Sequence, residues 1–210
     1  MFDFPKRTPP IPGEHPGMLV FRRSRSPDKT LWEGTLLERV QQILDHPRFI
    51  ECLSRNEEKE ASRRFCRHDM THLLDVARIA YILALENPTA FDTFARAIGH
   101  PERGQATKEV VYGAALLHDM GKWKQYEDGE DHAEVGARLC LGVLGECGYS
   151  QSEIDVIAEA IVNHRKKGKN RSDTFLGRIL ALADGYSRLC CNCGEKTDCR
   201  WRLKQERIIY

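Results

Sequence analysis

Residues 111–122 read VYGAALLHDMGK, an apolar run with helical spacing that ends in a histidine next to an aspartate. His118 follows Val111 by seven residues and Ala114 by four, which places its side chain on the apolar face of the predicted helix. A single buried histidine is usually a core residue with one hydrogen-bond partner. Whether His118 does more depends on the polar residues of the other helices.

Four further helices, predicted from hydrophobic periodicity, carry a polar residue on their apolar face in the same way. His72, for example, precedes Val76 by four residues and Leu83 by eleven. The other three residues are His132, His164 and Asp184. Burying four histidines and one or two aspartates would be costly unless these side chains satisfied one another. A shared metal centre is the simplest arrangement that does so.

The candidate ligands are imidazole nitrogens and carboxylate oxygens, without thiolates, which suits a divalent ion such as Fe, Mn, Co, Ni or Zn. The candidates are His72, His118, Asp119, His132, His164 and Asp184. These are too many for one tetrahedral ion, so the sequence predicts two ions bridged by a carboxylate. Asp119, which lies next to His118, could be that bridge.

The composition predicts a globular domain of ordinary size. The chain has 210 residues, 41% of them hydrophobic, which is enough for a core. Its 32 Lys and Arg against 31 Asp and Glu give a formal charge of +1, so neither nucleic acid nor a membrane is expected as the main partner. No run has the length of a membrane helix and no secretion signal is evident, so we expect a cytoplasmic protein with reduced cysteines.

The pattern from residue 31 onward is helical, and no segment alternates as a strand would, so the sequence predicts an all-α bundle. The predicted helices span residues 31–45, 47–60, 69–86, 107–119, 131–146, 151–164 and 174–190. Helix ends are expected at Gly121, Gly148 and Gly168, and helix starts at Ser152 and Asp173.

Residues 1–30 hold six of the nine prolines and the basic stretch FRRSRS, without helical or strand periodicity. We expect an extended or disordered arm here, which is either an ordinary tail or a partner-binding segment. Residues 31–190 are then the helical domain, and residues 191–210 are a cysteine-containing tail packed on it.

The HDMGK motif, together with His72 before it and Asp184 in LADGY after it, resembles the signature of the HD-domain superfamily of metal-dependent phosphohydrolases. His132 in HAEVGA and His164 in IVNHR resemble the members with two metal ions, among them enzymes that cleave dinucleoside polyphosphates and certain cyclic dinucleotides. The resemblance covers about residues 65–190, with five separate motifs in the family order. It implies a compact helical bundle of the HD type.

The resemblance also implies a role for each residue. The core metal site would be formed by His72, His118, Asp119 and Asp184, and a second metal position by His132 and His164 with Asp119 shared. Asp119 would also be catalytic, because water activated between the two ions would attack phosphorus. Lys122, just after the ligands, would neutralise a phosphate oxygen or the leaving group, unless it is a solvated lysine at a helix end.

His68 lies four residues before His72, so that this pair could itself hold a metal. We prefer His72 as the first ligand because its spacing to Val76 fits the family pattern. His68 would then support a ligand or face the substrate, or would simply be exposed beside Arg67.

A basic stretch, RKKGKNRS, follows His164 directly and has five positive charges in eight residues. Such a charge run is either a solvated loop or, because it adjoins the candidate centre, a phosphate-binding rim. The residues of that rim would be Arg165, Lys166, Lys167, Lys169 and Arg171.

The stretch SRLCCNCGEKTDCRW contains Cys190, Cys193 and Cys199, a three-thiolate spacing that needs a fourth ligand. Cys66 lies six residues before His72, as Cys190 lies six after Asp184. If the helices of His72 and Asp184 run antiparallel, Cys66 would lie about 9 Å along its helix from His72, and Cys190 would lie about 9 Å from Asp184 in the same direction. The sequence thus predicts a four-thiolate site for zinc or an iron–sulfur cluster; otherwise these are reduced surface cysteines.

Three functions are compatible with these residues. The first is a phosphohydrolase that cleaves a phosphoester or phosphoanhydride of a small phosphorylated substrate, with a nucleotide expected. The second is an oxygenase with two irons, since some relatives with the same ligand set activate oxygen. The third is a non-catalytic metal-binding sensor module.

Overall fold

The computed structural model describes residues 36–166, 174–195, 197–199 and 210. The chain divides into two units, Met1–Thr35 and Leu36–Tyr210. The first unit, which contains the predicted N-terminal arm, lies outside the described residues. In the second unit the described residues are all-α, which confirms the predicted fold class, and they contain no strand.

The helices, in chain order, are α1 (Glu38–Asp45), α2 (Pro47–Glu60), α3 (Met70–Glu86), α4 (Pro88–Ala97), α5 (Gln105–Leu117), α6 (Lys122–Glu127), α7 (His132–Glu146), α8 (Gln151–Asn163) and α9 (Phe175–Tyr186). A short 3₁₀ helix follows at Cys190–Asn192. Within the described ranges no helix is both long and apolar enough to cross a membrane.

The sequence prediction omits two short helices, α4 and α6, and extends α9 to residue 190 although it ends at Tyr186. Helix α6 has six residues and buries none of them, so it has no hydrophobic period to detect. Helix α4 follows α3 after the single residue Asn87 and begins with Pro88, a residue suited to the first helical position.

Helix α8 begins after Ser150 rather than at the predicted Ser152. The Ser150 side chain accepts a hydrogen bond from the backbone of Glu153, whose carboxylate accepts one from the backbone of Ser150. This reciprocal pair satisfies two of the free donors at the helix start. Gly148 follows α7 with a φ of 75°, which confirms a helix end there. Asp173 and Gly168 lie outside the described residues.

Helix α5 is the central element, because it contacts α1, α3, α7, α8 and α9. Its apolar residues from Val110 to Leu117 are buried, apart from the partly exposed Tyr112. The small residues Ala114 and Ala115 allow the neighbouring helices to approach closely, and burial of this run is a main favourable contribution to folding. The turn that follows α5 is thereby carried into the interior.

Arg39 attaches α1 to this centre. Its Nε atom lies 2.7 Å from Glu109 Oε2, and its Nη1 atom lies 2.9 Å from Glu153 Oε2. Both carboxylates are buried, so loss of the guanidinium would leave two uncompensated charges. The same three residues are among those that line a surface depression of about 620 Å³. Their charges already pair with one another within the fold.

The turn after α5 packs against the start of α7 without space for a side chain at Gly121. A Cβ atom at Gly121 would lie 2.5 Å from the carbonyl oxygen of His132 and 2.7 Å from the nitrogen of Gly136. Both are backbone atoms, so α7 itself would have to move. At Gly136 the situation differs, because a Cβ atom there would lie 3.4 Å from the nearest atom, the carbonyl oxygen of His118.

We expect Gly121→Ala to lower the free energy of unfolding by about 1–3 kcal/mol, because the added methyl group overpacks a closed interface. Gly136→Ala is the matched control. It should leave stability unchanged or raise it by up to about 1 kcal/mol, since alanine is the better helix former. Urea unfolding of both variants measures the difference, and equal stabilities would contradict the close packing at Gly121.

Candidate metal centre

The structure brings together six side chains from five separate segments. They form two groups, His72, His118, Asp119 and Asp184 in the first, and Asp119, His132 and His164 in the second. In each group every residue offers one nitrogen or oxygen atom, and these atoms lie within 4.8 Å of one another. Among the described residues these are the groups with the spacing that a metal ion requires.

Asp119 belongs to both groups and turns one carboxylate oxygen toward each. Its Oδ2 atom lies 3.0 Å from His118 Nε2 and 3.6 Å from His72 Nε2. Its Oδ1 atom lies 3.1 Å from His132 Nε2. This is the arrangement of a carboxylate that can bridge two ions.

The two histidines at helix C-termini are oriented by the backbone. His118 Nδ1 lies 2.6 Å from the carbonyl oxygen of Ala115, and His164 Nδ1 lies 2.6 Å from that of Ile161. A carbonyl oxygen only accepts, so Nδ1 carries the proton in both rings and donates it. The lone pair of each ring is therefore on Nε2, which faces the centre.

The other two histidines are oriented by side chains. His132 Nδ1 lies 2.6 Å from Gln125 Oε1. His72 Nδ1 lies 3.1 Å from Ser187 Oγ, whose own proton is donated to the carbonyl oxygen of Asp184. In both rings Nδ1 faces these partners and Nε2 faces the centre. Such partners fix the tautomer and ring orientation that metal-binding histidines need.

His118 provides a test of whether these residues suit a metal. Its side chain is fully buried, and its Nε2 atom has no hydrogen-bond partner although Asp119 Oδ2 is 3.0 Å away. A buried polar atom without a partner is costly and rare. A divalent cation that accepted this lone pair would remove the cost, and the imidazole and carboxylate donors suit such an ion. The donor set fits a metal.

The charges within the centre favour the ionised form of its two carboxylates, Asp119 and Asp184. Burial opposes ionisation of Asp119, but in the metal-free protein the positive charges of protonated His118 and His68 keep its pKa well below the ordinary value. Burial would likewise lower the pKa of His118, but the charges of Asp119 and Asp184 raise it. A proton and a metal ion therefore compete for His118.

Two buried side chains of α2, which the sequence analysis missed, support the centre. Asn56 Nδ2 donates to the carbonyl oxygen of Asp119 at 3.0 Å, and its Oδ1 accepts from the backbone nitrogen of Trp123 at 2.6 Å. Glu60 Oε1 lies 2.5 Å from His68 Nδ1. Both lie in SRNEEKE, a stretch whose composition is typical of a solvated helix face, so hydrophobic periodicity could not identify them.

His68 is buried, so the alternative in which it is simply exposed beside Arg67 is wrong. Held by Glu60, its Nε2 atom lies 3.9 Å from Asp119 Oδ2. His68 therefore lies beside the candidate ligands without belonging to either metal-spaced group. Its role toward a substrate stays a prediction.

Two of the predicted cations, Lys122 and Arg165, lie at the edge of the centre. Lys122 Nζ is 3.3 Å from His132 Nδ1, and its side chain is partly buried. Arg165 is exposed, pairs with Asp131 at 3.2 Å, and lies 3.5 Å from the same His132 nitrogen. Lys166 is exposed at the end of the described segment. Lys167, Lys169 and Arg171 lie outside the described residues.

Arg188 is the third cation, and the sequence analysis missed it. One nitrogen of its guanidinium lies 3.0 Å from His72 Nε2 and 3.2 Å from Asp184 Oδ1, while the other donates to the carbonyl oxygen of Arg67 at 3.0 Å. Its position four residues after Asp184, one helical turn away, was the available signal.

The four predicted cysteine ligands are all half-buried, but none of them lies in an α-helix. Cys66 precedes α3, and Cys190 follows the end of α9 in the 3₁₀ helix. The prediction that Cys66 continues the helix of His72, and that Cys190 continues the helix of Asp184, is therefore wrong. No three of the thiols within the described ranges meet the 4.8 Å spacing of the His and Asp groups.

The lowered pKa of His164 predicts a loss of stability in acid for the metal-free protein. Burial lowers this pKa to about 4, so as the pH falls from about 6.5 the unfolded state takes up the proton first and the folded state loses stability. Between about pH 7 and pH 5 the wild type should lose about 2 kcal/mol more than His164→Asn. Urea unfolding of both metal-stripped proteins tests this, and parallel pH profiles would contradict it.

Comparison with known proteins agrees with this geometry. The family model of the HD domain matches residues 69–189. The chain is 34% identical over 176 residues to an uncharacterized protein of Clostridium beijerinckii, an alignment that covers 83% of this chain and 100% of that protein. A stretch of 58 residues, 28% of the chain, is 34% identical to a bifunctional uridylyltransferase/uridylyl-removing enzyme of Gluconobacter oxydans and spans only 6% of that enzyme.

No solved structure matches the chain significantly. HD domains bind divalent metals and are typically metal-dependent hydrolases, in agreement with a His and Asp cluster that could hold a metal. The matched residues run from just before α3 to just beyond α9 and include every candidate ligand. The chain belongs to the HD-domain family.

Proposed function

We propose that the protein is a phosphohydrolase with two divalent ions, which hydrolyses a phosphoester or phosphoanhydride bond of a nucleotide. The observation that carries the proposal is the position of Asp119, whose two oxygens face different histidine groups. When bound, the two ions would polarise the phosphoryl group and lower the pKa of a water molecule toward neutrality. The ligands would be His72, His118 and Asp184 on one side, and His132 and His164 on the other.

The exposure of the candidate ligands indicates where a substrate would enter. The side chain of Asp184 is 32% exposed, whereas those of Asp119 and His118 are 4% and 0% exposed. The centre is therefore reached from the Asp184 side. Arg188 lies at this edge and can donate hydrogen bonds to a phosphate oxygen, a role that suits a guanidinium.

Lys122 lies beside the second group, that of Asp119, His132 and His164, and its surroundings favour an anionic substrate there. Burial lowers the pKa of Lys122, and the charges of Arg165 and Arg63 lower it further, against the opposing effect of Asp119. A phosphate oxygen placed among these cations would relieve their mutual repulsion. Several cations around one centre favour a polyanionic substrate over a neutral one.

The substrate class rests on two considerations. The cations suit phosphates, and the Gluconobacter enzyme that shares the matched stretch is named a uridylyl-removing enzyme. A uridylyl group is a nucleotide attached through its phosphate. We therefore propose a nucleotide substrate and would begin with nucleoside polyphosphates, dinucleoside polyphosphates and cyclic nucleotides.

The test is hydrolysis by metal-stripped protein reloaded separately with Mn, Fe, Co, Ni or Zn. Asp119→Asn should lose bound metal and reduce kcat/KM by about 10³-fold, because the bridging ligand is removed. Asp155→Asn, the same change at an exposed carboxylate of α8, should leave both unchanged. Oxygen uptake by the iron-loaded protein, without hydrolysis of any substrate, would contradict the proposal and favour an oxygenase.

Lys122→Gln should keep the bound metal but reduce kcat/KM by about 10–100-fold, since only the positive charge near the phosphate is lost. Lys124→Gln is the matched control, because Lys124 is on the same helix as Lys122 but pairs with Asp128, just after the end of that helix. Equal activity of the two variants, measured on the same substrate and metal, would remove Lys122 from the proposed site.

A further inference from the structure

The C-terminal segment, here the described residues 187–195 and 197–199 that follow α9, contacts the loop between α2 and α3, residues 61–69. Arg188 donates to the carbonyl oxygen of Arg67 at 3.0 Å. Arg64 pairs with Glu195 at 2.5 Å. Cys66 is therefore flanked in the loop by two residues that both contact the segment containing the other cysteines.

The thiols of that segment lie near one another and near the loop. The backbone nitrogen of Cys193 donates to the carbonyl oxygen of Cys190 at 3.3 Å, which closes a turn between these two residues. Burial raises the pKa of the Cys190 thiol, and charge repulsion from Cys66, Cys193 and Cys199 raises it further. The backbone nitrogen of Cys199 donates to the carbonyl oxygen of Glu195 at 3.0 Å, and Glu195 pairs with Arg64, two residues before Cys66.

Apolar burial does not explain why this segment stays against the loop. In its described part no residue is buried, and Leu189 is 61% exposed. The ion pair of Arg64 is itself exposed and contributes little to stability. Segments without a hydrophobic core of their own commonly depend on disulfides or metal ions. All eight cysteines are free.

We propose that Cys66, Cys190, Cys193 and Cys199 bind one structural zinc ion, which attaches the C-terminal segment to the loop before α3. Four thiolates suit tetrahedral zinc, and two ligands separated by two residues are a usual spacing for it. No three of these thiols lie within 4.8 Å of one another in the described residues, so zinc binding would have to draw them together. Each thiol that binds releases its proton to solvent.

The site is separate from the His and Asp centre and uses none of its ligands. The two are nevertheless adjacent along the chain, because Arg188, which contacts His72 and Asp184, stands two residues before Cys190. Zinc at the cysteines would therefore also hold the guanidinium at the edge of the candidate centre.

The first experiment is elemental analysis of the full chain carrying Asp119→Ala, which removes metal from the His and Asp centre. We expect about one zinc ion per chain to remain. Cys66→Ala and Cys193→Ala in this background should each lose it. Cys191→Ala, at a cysteine outside the set, should keep it. Zinc retained by Cys66→Ala or Cys193→Ala would overturn the proposal, as would the absence of zinc from the Asp119→Ala protein.

A second measurement covers variants that fail to fold. Cobalt that replaces zinc at four thiolates absorbs intensely in the visible and near-ultraviolet, and zinc should displace it and abolish these bands. We expect them in the wild-type chain and in Asp119→Ala. Their absence from both would overturn the proposal, and so would iron with acid-labile sulfide in place of zinc, since this indicates an iron–sulfur cluster.

Discussion

The carboxylate of Asp119 is buried between histidines on both of its oxygens, and much of the described chain serves to hold it there. Burial alone would make this charge costly, so the position is tolerable only while imidazole rings or cations surround it. Helix α5 supplies the apolar run that carries the turn inward, and Asn56 binds the carbonyl oxygen of Asp119. The same interior that provides the hydrophobic core thus also positions the charge on which the proposed chemistry depends.

The four candidate histidine ligands obtain their orientation from the protein itself. Two rings donate to backbone carbonyl oxygens, those of Ala115 and Ile161, which no substitution of those side chains removes. The other two depend on Gln125 and Ser187, whose replacement would free a ring to rotate. The donor atoms are therefore arranged before any ion binds, which reduces the cost of ordering the ligands. Each metal-spaced group therefore contains one ring held by the backbone and one ring held by a replaceable side chain.

Hydrophobic periodicity predicted the long helices and the inward direction of the candidate ligands, because both follow from local spacing. It could not predict α6, a helix without a buried residue. Nor could it find Asn56 or Glu60, since a polar residue in a polar stretch is recognised as buried only once another helix covers it. Arg188 was missed although Asp184 lies only four residues before it, because its other partners, Arg67 and His72, lie more than a hundred residues away in sequence. The metals themselves stay predictions.

The contact at Gly121 also gives a criterion for comparing related sequences. Because the turn after α5 and the backbone of α7 leave no volume for a methyl group, a protein with a larger residue there must hold α7 farther away. His132, the first residue of α7, would move with it. Such a protein could keep all the histidines and aspartates of the motif and yet separate the two metal-spaced groups. In a related protein, the size of the residue at the position of Gly121 therefore indicates whether the same histidines and aspartates also form the same two groups.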